Sequence, residues 1–164
     1  LDLPYIYNDL WKKTYDGVCK IDEFCRKQIS LPYKKLLNED AGTFKFNEMG
    51  EGYDCIYTCG PYFNFEKYDG KIYGSYQEFL ELWEATVKNC ICPTLQIFAF
   101  VIKSNFSTDC IGICEKYGLK LDKEILLGRN IQHHYNRLKG EKIREYIYVM
   151  TTNKYVKKTN GLFD

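Results

Sequence analysis

Histidine, methionine and tryptophan each occur only twice in 164 residues, and proline four times. The two histidines are neighbours, His133 and His134, so no pair at helical i, i+4 spacing exists to hold a metal on one face. No Gly-x-Ser-x-Gly elbow, His-Glu-x-x-His pair, Gly-x-Gly-x-x-Gly turn or Gly-Lys-Ser/Thr loop occurs. The local signatures of serine hydrolases, zinc proteases and nucleotide-binding loops are therefore missing. Cys-x-x-Cys is absent too, which argues against a thioredoxin-like redox site and against the usual zinc-loop spacing. Excess charge is lacking: 23 basic side chains face 22 acidic ones, and no five like charges run together. A polyanion-binding surface built on net charge is disfavoured, so no nucleic-acid partner is expected. The longest apolar run, Ile97 to Ile102, is far too short to span a bilayer, and mean hydropathy is −0.42. No repeat, linker or low-complexity stretch breaks the chain, which suits one domain over 1–164.

What is present in quantity is cysteine. Eight occur, Cys19, Cys25, Cys55, Cys59, Cys90, Cys92, Cys110 and Cys114, leaving a Cys-rich part at 19–114 and a Cys-free part at 115–164. The even count, together with a first residue that is leucine, leads to the expectation of a mature secreted, extracellular protein with its signal peptide removed and four disulfides. Cys-x-Cys at 90 and 92 is too strained to close on itself, so these two should bond outward, and connectivity stays open among 105 pairings. An intracellular zinc-stabilised module using the same cysteines is the competing account, but no metal site is assigned. Asn105-Phe106-Ser107 is a glycosylation sequon.

The best-defined stretch runs from Gly74 to Lys103. Ser75 with Glu78 three residues on is a capping box, and Tyr76, Phe79, Leu80, Trp83, Val87 and Cys90 then recur at helical spacing. Pro93 ends that helix, and Thr94–Lys103 reads as a strand buried on both faces. An amphipathic helix is expected from Asn8 to about Ile29, with further helical turns at Tyr33–Leu37. Glycines punctuate short strands at Thr43–Phe46 and Tyr53–Cys59, and Asp69-Gly70 suits a hairpin spanning Tyr62–Tyr73. A short helix capped within Ser107–Asp109 should end at Gly118, and Asp122 should cap a longer one to about Lys139. Lys142–Thr151 alternates as a half-buried strand. The expected fold class is α+β: a single disulfide-rich domain with about four helices on a small, mainly antiparallel sheet, the alternative being mostly α.

Fifteen tyrosines and ten phenylalanines make the chain aromatic-rich. The reading preferred on sequence is a secreted, disulfide-stabilised, non-enzymatic binding protein with no cofactor. It would recognise a protein partner or small apolar ligand through Tyr53, Tyr57, Tyr62, Phe63, Phe65, Tyr68 and Tyr73. Codon bias toward A/T-rich residues explains the same composition without any such role. The alternative is a small secreted hydrolase using His133 or His134 as base, with Arg137 as anion clamp. Against it, the histidines suit an ordinary helix surface and core edge. Carboxylates such as Glu81 and Glu84 suit a solvated helix face rather than a glycosidase pair.

Overall fold

The structure, a computed structural model, describes residues 5–8, 12–28, 34–37, 39–50, 52–60, 63, 74–127 and 145–155. Six strands and three α-helices follow one another among them: β1 (Tyr5–Asn8), α1 (Lys12–Gln28), β2 (Lys34–Leu37), β3 (Cys55–Cys59), α2 (Tyr76–Cys90), β4 (Ile97–Lys103), α3 (Ser107–Lys116), β5 (Lys120–Leu126) and β6 (Glu145–Thr151). A single 3-10 turn occupies Phe46–Glu48, and the short strand expected at Thr43–Phe46 just before it does not form. The protein is α+β, with a four-stranded mixed sheet ordered β3-β4-β6-β5 and a separate two-stranded sheet, β1-β2.

Parallel pairing appears twice, each time across a helix. β1 and β2 pair in parallel with α1 between them in the chain, and β3 and β4 do the same with α2 between. Such crossovers are the connection that parallel neighbours require. The antiparallel half is β4-β6-β5. Beyond β2, the Asn8 amide donates to the Glu39 carbonyl at 3.1 Å and accepts from the Glu39 N–H at 3.0 Å, tying the end of β1 to the chain leaving β2.

α2 forms as its sequence dictates. Ser75 Oγ accepts from the Glu78 N–H at 3.2 Å, and Glu78 reaches back to the Gly74 N–H at 2.7 Å. Phe79, Trp83, Val87 and Cys90 are buried on one face. β4 is buried along six of its seven residues because it lies between β3 and β6 with helices over one face. By strand alternation Phe98, Phe100 and Ile102 share the face toward α2, and all three have no exposed surface. Trp83 packs edge-on to Phe98 at 6.1 Å and tilted on Phe100 at 4.9 Å, while Phe100 stacks on Tyr148 at 5.3 Å.

Two segments expected as helix are strand. Lys34–Leu37 pairs with β1, and Lys120–Leu126, which contains the supposed cap Asp122, pairs with β6. Register shifts between Leu121 and Lys123, so Asp122 sits at an irregularity of the ladder, a place an extra residue is tolerated. Pairing overrides the helical periodicity there. The rest of the expected fourth helix, with His133, His134 and Arg137, lies outside the described residues, as do Tyr62, Phe65, Tyr68 and Tyr73. α3 starts at Ser107 with Phe106 as its cap and no side-chain capping bond, whereas the sequence places the cap within Ser107–Asp109. Gly118 closes it in the left-handed region at φ 82°.

None of the seven cysteines whose side chains are described, Cys19, Cys55, Cys59, Cys90, Cys92, Cys110 and Cys114, is in a disulfide. Among the described residues no helix is long and apolar enough to cross a membrane. Burial pushes Cys90 and Cys114 up to about 12 and Cys110 higher still.

Two outcomes follow. Phe100→Ala should cost about 3–5 kcal/mol in urea unfolding and the exposed Tyr57→Ala less than about 0.5; equal costs would contradict the assigned core. Folded-state thiol pKa values raised above the ordinary 9.0 mean stability is full below pH 9 and falls as pH rises toward about 12. The urea midpoint is expected to drop between pH 8 and 10.5, and to drop less in Cys114→Ala.

Candidate functional site

In an open sheet with parallel strands, ligands bind outside the carboxyl ends of those strands. Here that place is the end of β3 at Cys59-Gly60 and of β4 at Lys103-Ser104, beside the starts of α2 and α3. Gly60 is buried, and a Cβ there would lie 3.2 Å from the Trp83 ring. The residue therefore must be small for the chain to leave β3 over α2.

An aromatic cluster stands at this end. Phe63 meets Tyr76 edge-on at 5.4 Å and Phe106 edge-on at 6.2 Å, and lies 6.3 Å from Phe79. Tyr76 stacks on Phe79 at 5.8 Å and tilts against Phe106 at 5.8 Å. Phe79 and Phe106 are buried, Phe63 and Tyr76 half-buried. The Tyr76 hydroxyl donates to Asp109 Oδ2 at 2.6 Å. Burial first, and then that bond to a carboxylate, hold the Tyr76 phenol protonated far above its usual range. Asp109 is exposed in the first turn of α3, where a negative charge also suits the helix dipole. Ser107 Oγ donates to the Ser104 carbonyl at 2.9 Å, shaping the turn between β4 and α3.

Lys103 ends β4 and is only 4% exposed. Strand alternation puts it on the opposite face from Phe98, Phe100 and Ile102, beside Glu145 of β6 in the register. Lys103 is not without a partner, in keeping with its burial.

The residues singled out from sequence scatter. Tyr53 is half-buried and donates to the Cys90 carbonyl at 2.8 Å, while the Thr94 hydroxyl donates to the Tyr53 carbonyl at 3.0 Å. Phe63 is in the aromatic cluster, and Tyr57 is 64% exposed on β3. Asn105 is exposed in the turn after β4. Cys92, whose burial raises its thiol, is lowered overall by hydrogen bonds from Thr94 and the nearby backbone. Among the described residues no three His, Cys, Asp or Glu side chains gather to hold a metal. Sequence reading assigned Tyr76 to a core stripe and Asp109 to a cap. Only the meeting of α2 with α3 joins them, and nothing local signals it.

No protein family and no curated protein matches the sequence. Among solved structures the chain is similar to "StiE O-MT residues 942-1257", with a TM-score of 0.52 and 10% identity, covering 93% of this chain and 61% of that one. The likeness is one of fold. This chain spans about three fifths of that structure's length.

Removing the Tyr76 hydroxyl should loosen the junction of α2 with α3. Tyr76→Phe is expected to cost about 1 kcal/mol, with Asp109→Asn costing a similar amount and the double variant no more than either alone. Additive losses in urea unfolding would contradict a direct bond.

Proposed function

We propose that the chain is an α+β domain of the methyl-transferring kind and that the described residues form its acceptor side. It holds a planar aromatic acceptor at the carboxyl end of the β3–β4 pair. The observation that carries this reading is the aromatic cluster of Phe63, Tyr76, Phe79 and Phe106, set beside the Asp109 carboxylate where an open parallel sheet takes its ligand. The fold likeness to a structure whose name denotes an O-methyltransferase supports it. Offset or edge contact with Phe63 and Tyr76 favours a flat ring, worth about 0.5–1.5 kcal/mol per aromatic pair beyond area burial. Asp109 accepts hydrogen bonds only, so an acceptor bearing an O–H or N–H is oriented by it.

A transfer also needs a donor. Among the described residues no glycine-rich strand-to-helix turn is present to seat a nucleotide-like group, so these residues do not fit a donor carrying adenosine. No step is derived through one. What the chain's own residues do is stack, orient by hydrogen bonding and cover one side of the acceptor.

Recognition of a protein partner or small apolar ligand by a secreted protein with four disulfides and about four helices is the second reading. The exposed Tyr57 and the exposed sequon residue Asn105 favour it.

Catechol, indole and cyclohexanol serve as probes in a two-dimensional NMR titration of the full chain. Catechol and indole are expected to shift resonances of Phe63, Tyr76 and Asp109 while cyclohexanol does not, and Phe63→Ala should weaken catechol about tenfold. Equal shifts for all three probes, or shifts confined to Tyr57 and its strand, would favour the second reading.

A further inference from the structure

Asp109 stands at the margin of the aromatic cluster and is exposed. Its Oδ2 accepts from the Tyr76 hydroxyl at 2.6 Å, which pins the carboxylate beside the Tyr76 ring. A carboxylate has two oxygens and about four lone-pair sites, so one phenol does not exhaust it. Burial, and then the bond to Asp109, keep the Tyr76 phenol protonated. The negative charge of the pair is therefore carried by Asp109.

Charge and rings act on a ligand here in the same sense. Phe63 and Tyr76 are half-buried, so each ring keeps part of its surface exposed. An aromatic face attracts a cation within about 6 Å of its centroid. The two centroids are 5.4 Å apart, so one cation can act on both rings. A cationic N–H also forms a shorter bond to a carboxylate than a neutral donor does, and one roughly twice as strong. An acceptor carrying its own carboxylate meets like charge at Asp109 instead, which counts against it. For a ring laid against Tyr76 the carboxylate lies just past the ring edge, because Oδ2 sits one hydrogen bond beyond the Tyr76 hydroxyl. A short alkyl arm bridges that distance.

We propose that the acceptor is an aryl-alkyl amine, its ring resting on Phe63 and Tyr76 and its ammonium held by Asp109. The inference rests on the acceptor reading of this site and narrows it from any flat ring bearing a donor to a cationic one. Asp109 is then the specificity-determining residue. It selects by charge, while the rings select by shape. Because Asp109 is exposed, its attraction is screened by salt.

The test titrates the full chain with tyramine, para-ethylphenol and para-hydroxyphenylpropionate, followed by two-dimensional NMR. The three probes share a phenol ring and differ in the charge of the arm. Tyramine should bind at least fivefold more tightly than para-ethylphenol at low salt, and the propionate at least fivefold more weakly. The tyramine advantage should shrink at least twofold at high salt. Asp109→Asn keeps an oxygen for the Tyr76 hydroxyl and should bring tyramine within twofold of para-ethylphenol. Tyr76→Phe keeps the carboxylate and should retain the order of the three probes. Equal affinities in the unaltered chain, a tyramine advantage indifferent to salt, or an order unchanged by Asp109→Asn overturns the inference. Equal affinities with shifts at Phe63 and Tyr76 would leave the acceptor reading standing. Three probes that all leave Phe63, Tyr76 and Asp109 unshifted would contradict both, so the two failures are distinguishable.

Discussion

The indole of Trp83 is the contact on which the rest depends. Its ring fills the space between α2 and the β4 phenylalanines, at 4.9 Å from Phe100 and 6.1 Å from Phe98. Its N–H donates to the Cys110 carbonyl at 3.1 Å, which fixes α3 against α2. Its outer edge meets the buried Gly60 and sets the direction in which the chain leaves β3. One side chain thus joins the two helices and the two parallel strands whose ends make the candidate site. A buried indole needs a partner for its N–H, and a backbone carbonyl in the facing helix supplies it without a buried charge.

The candidate site follows from that junction. Because Trp83 holds α2 and α3 side by side, Tyr76 in the first turn of one reaches Asp109 in the first turn of the other. Farther along the same pair of helices, Glu84 is bonded by Lys116 and by the Tyr117 hydroxyl, the latter at 2.9 Å. These ends are where a parallel sheet leaves room for a ligand, and the aromatic cluster lies there. Among the described residues, the two flanking strands carry exposed apolar or aromatic side chains. β5 exposes Leu121, Ile125 and Leu126, and β3 exposes Tyr57.

Sequence pattern carried the central part of the fold. The Ser75–Glu78 box, the Phe79-Trp83-Val87-Cys90 stripe and the apolar run into Lys103 are dense, local and mutually consistent signals, and α2 and β4 lie within a few residues of the expected bounds. The β6 alternation was legible for the same reason. β5 was not, because Lys120–Leu126 mixes charges with leucines at a spacing that serves a helix as well as an edge strand, and only pairing with β6 decides. β1 and β2 are four residues each, too short for any periodicity to show. The candidate site was least legible. Gly60, Tyr76 and the Phe106–Asp109 turn come from three separate places, and each has an ordinary local explanation.

The central claim is the parallel pairing of β3 with β4, since an antiparallel pair would put no two strand ends together beside α2 and α3. Inter-strand nuclear Overhauser contacts test it most directly. The structure places Tyr57 beside Ala99 and Cys59 beside Val101 in one rising register, so contacts expected between these strands advance together along both chains. Hα–Hα contacts that advance along β3 while retreating along β4 would contradict the fold and the site built on it.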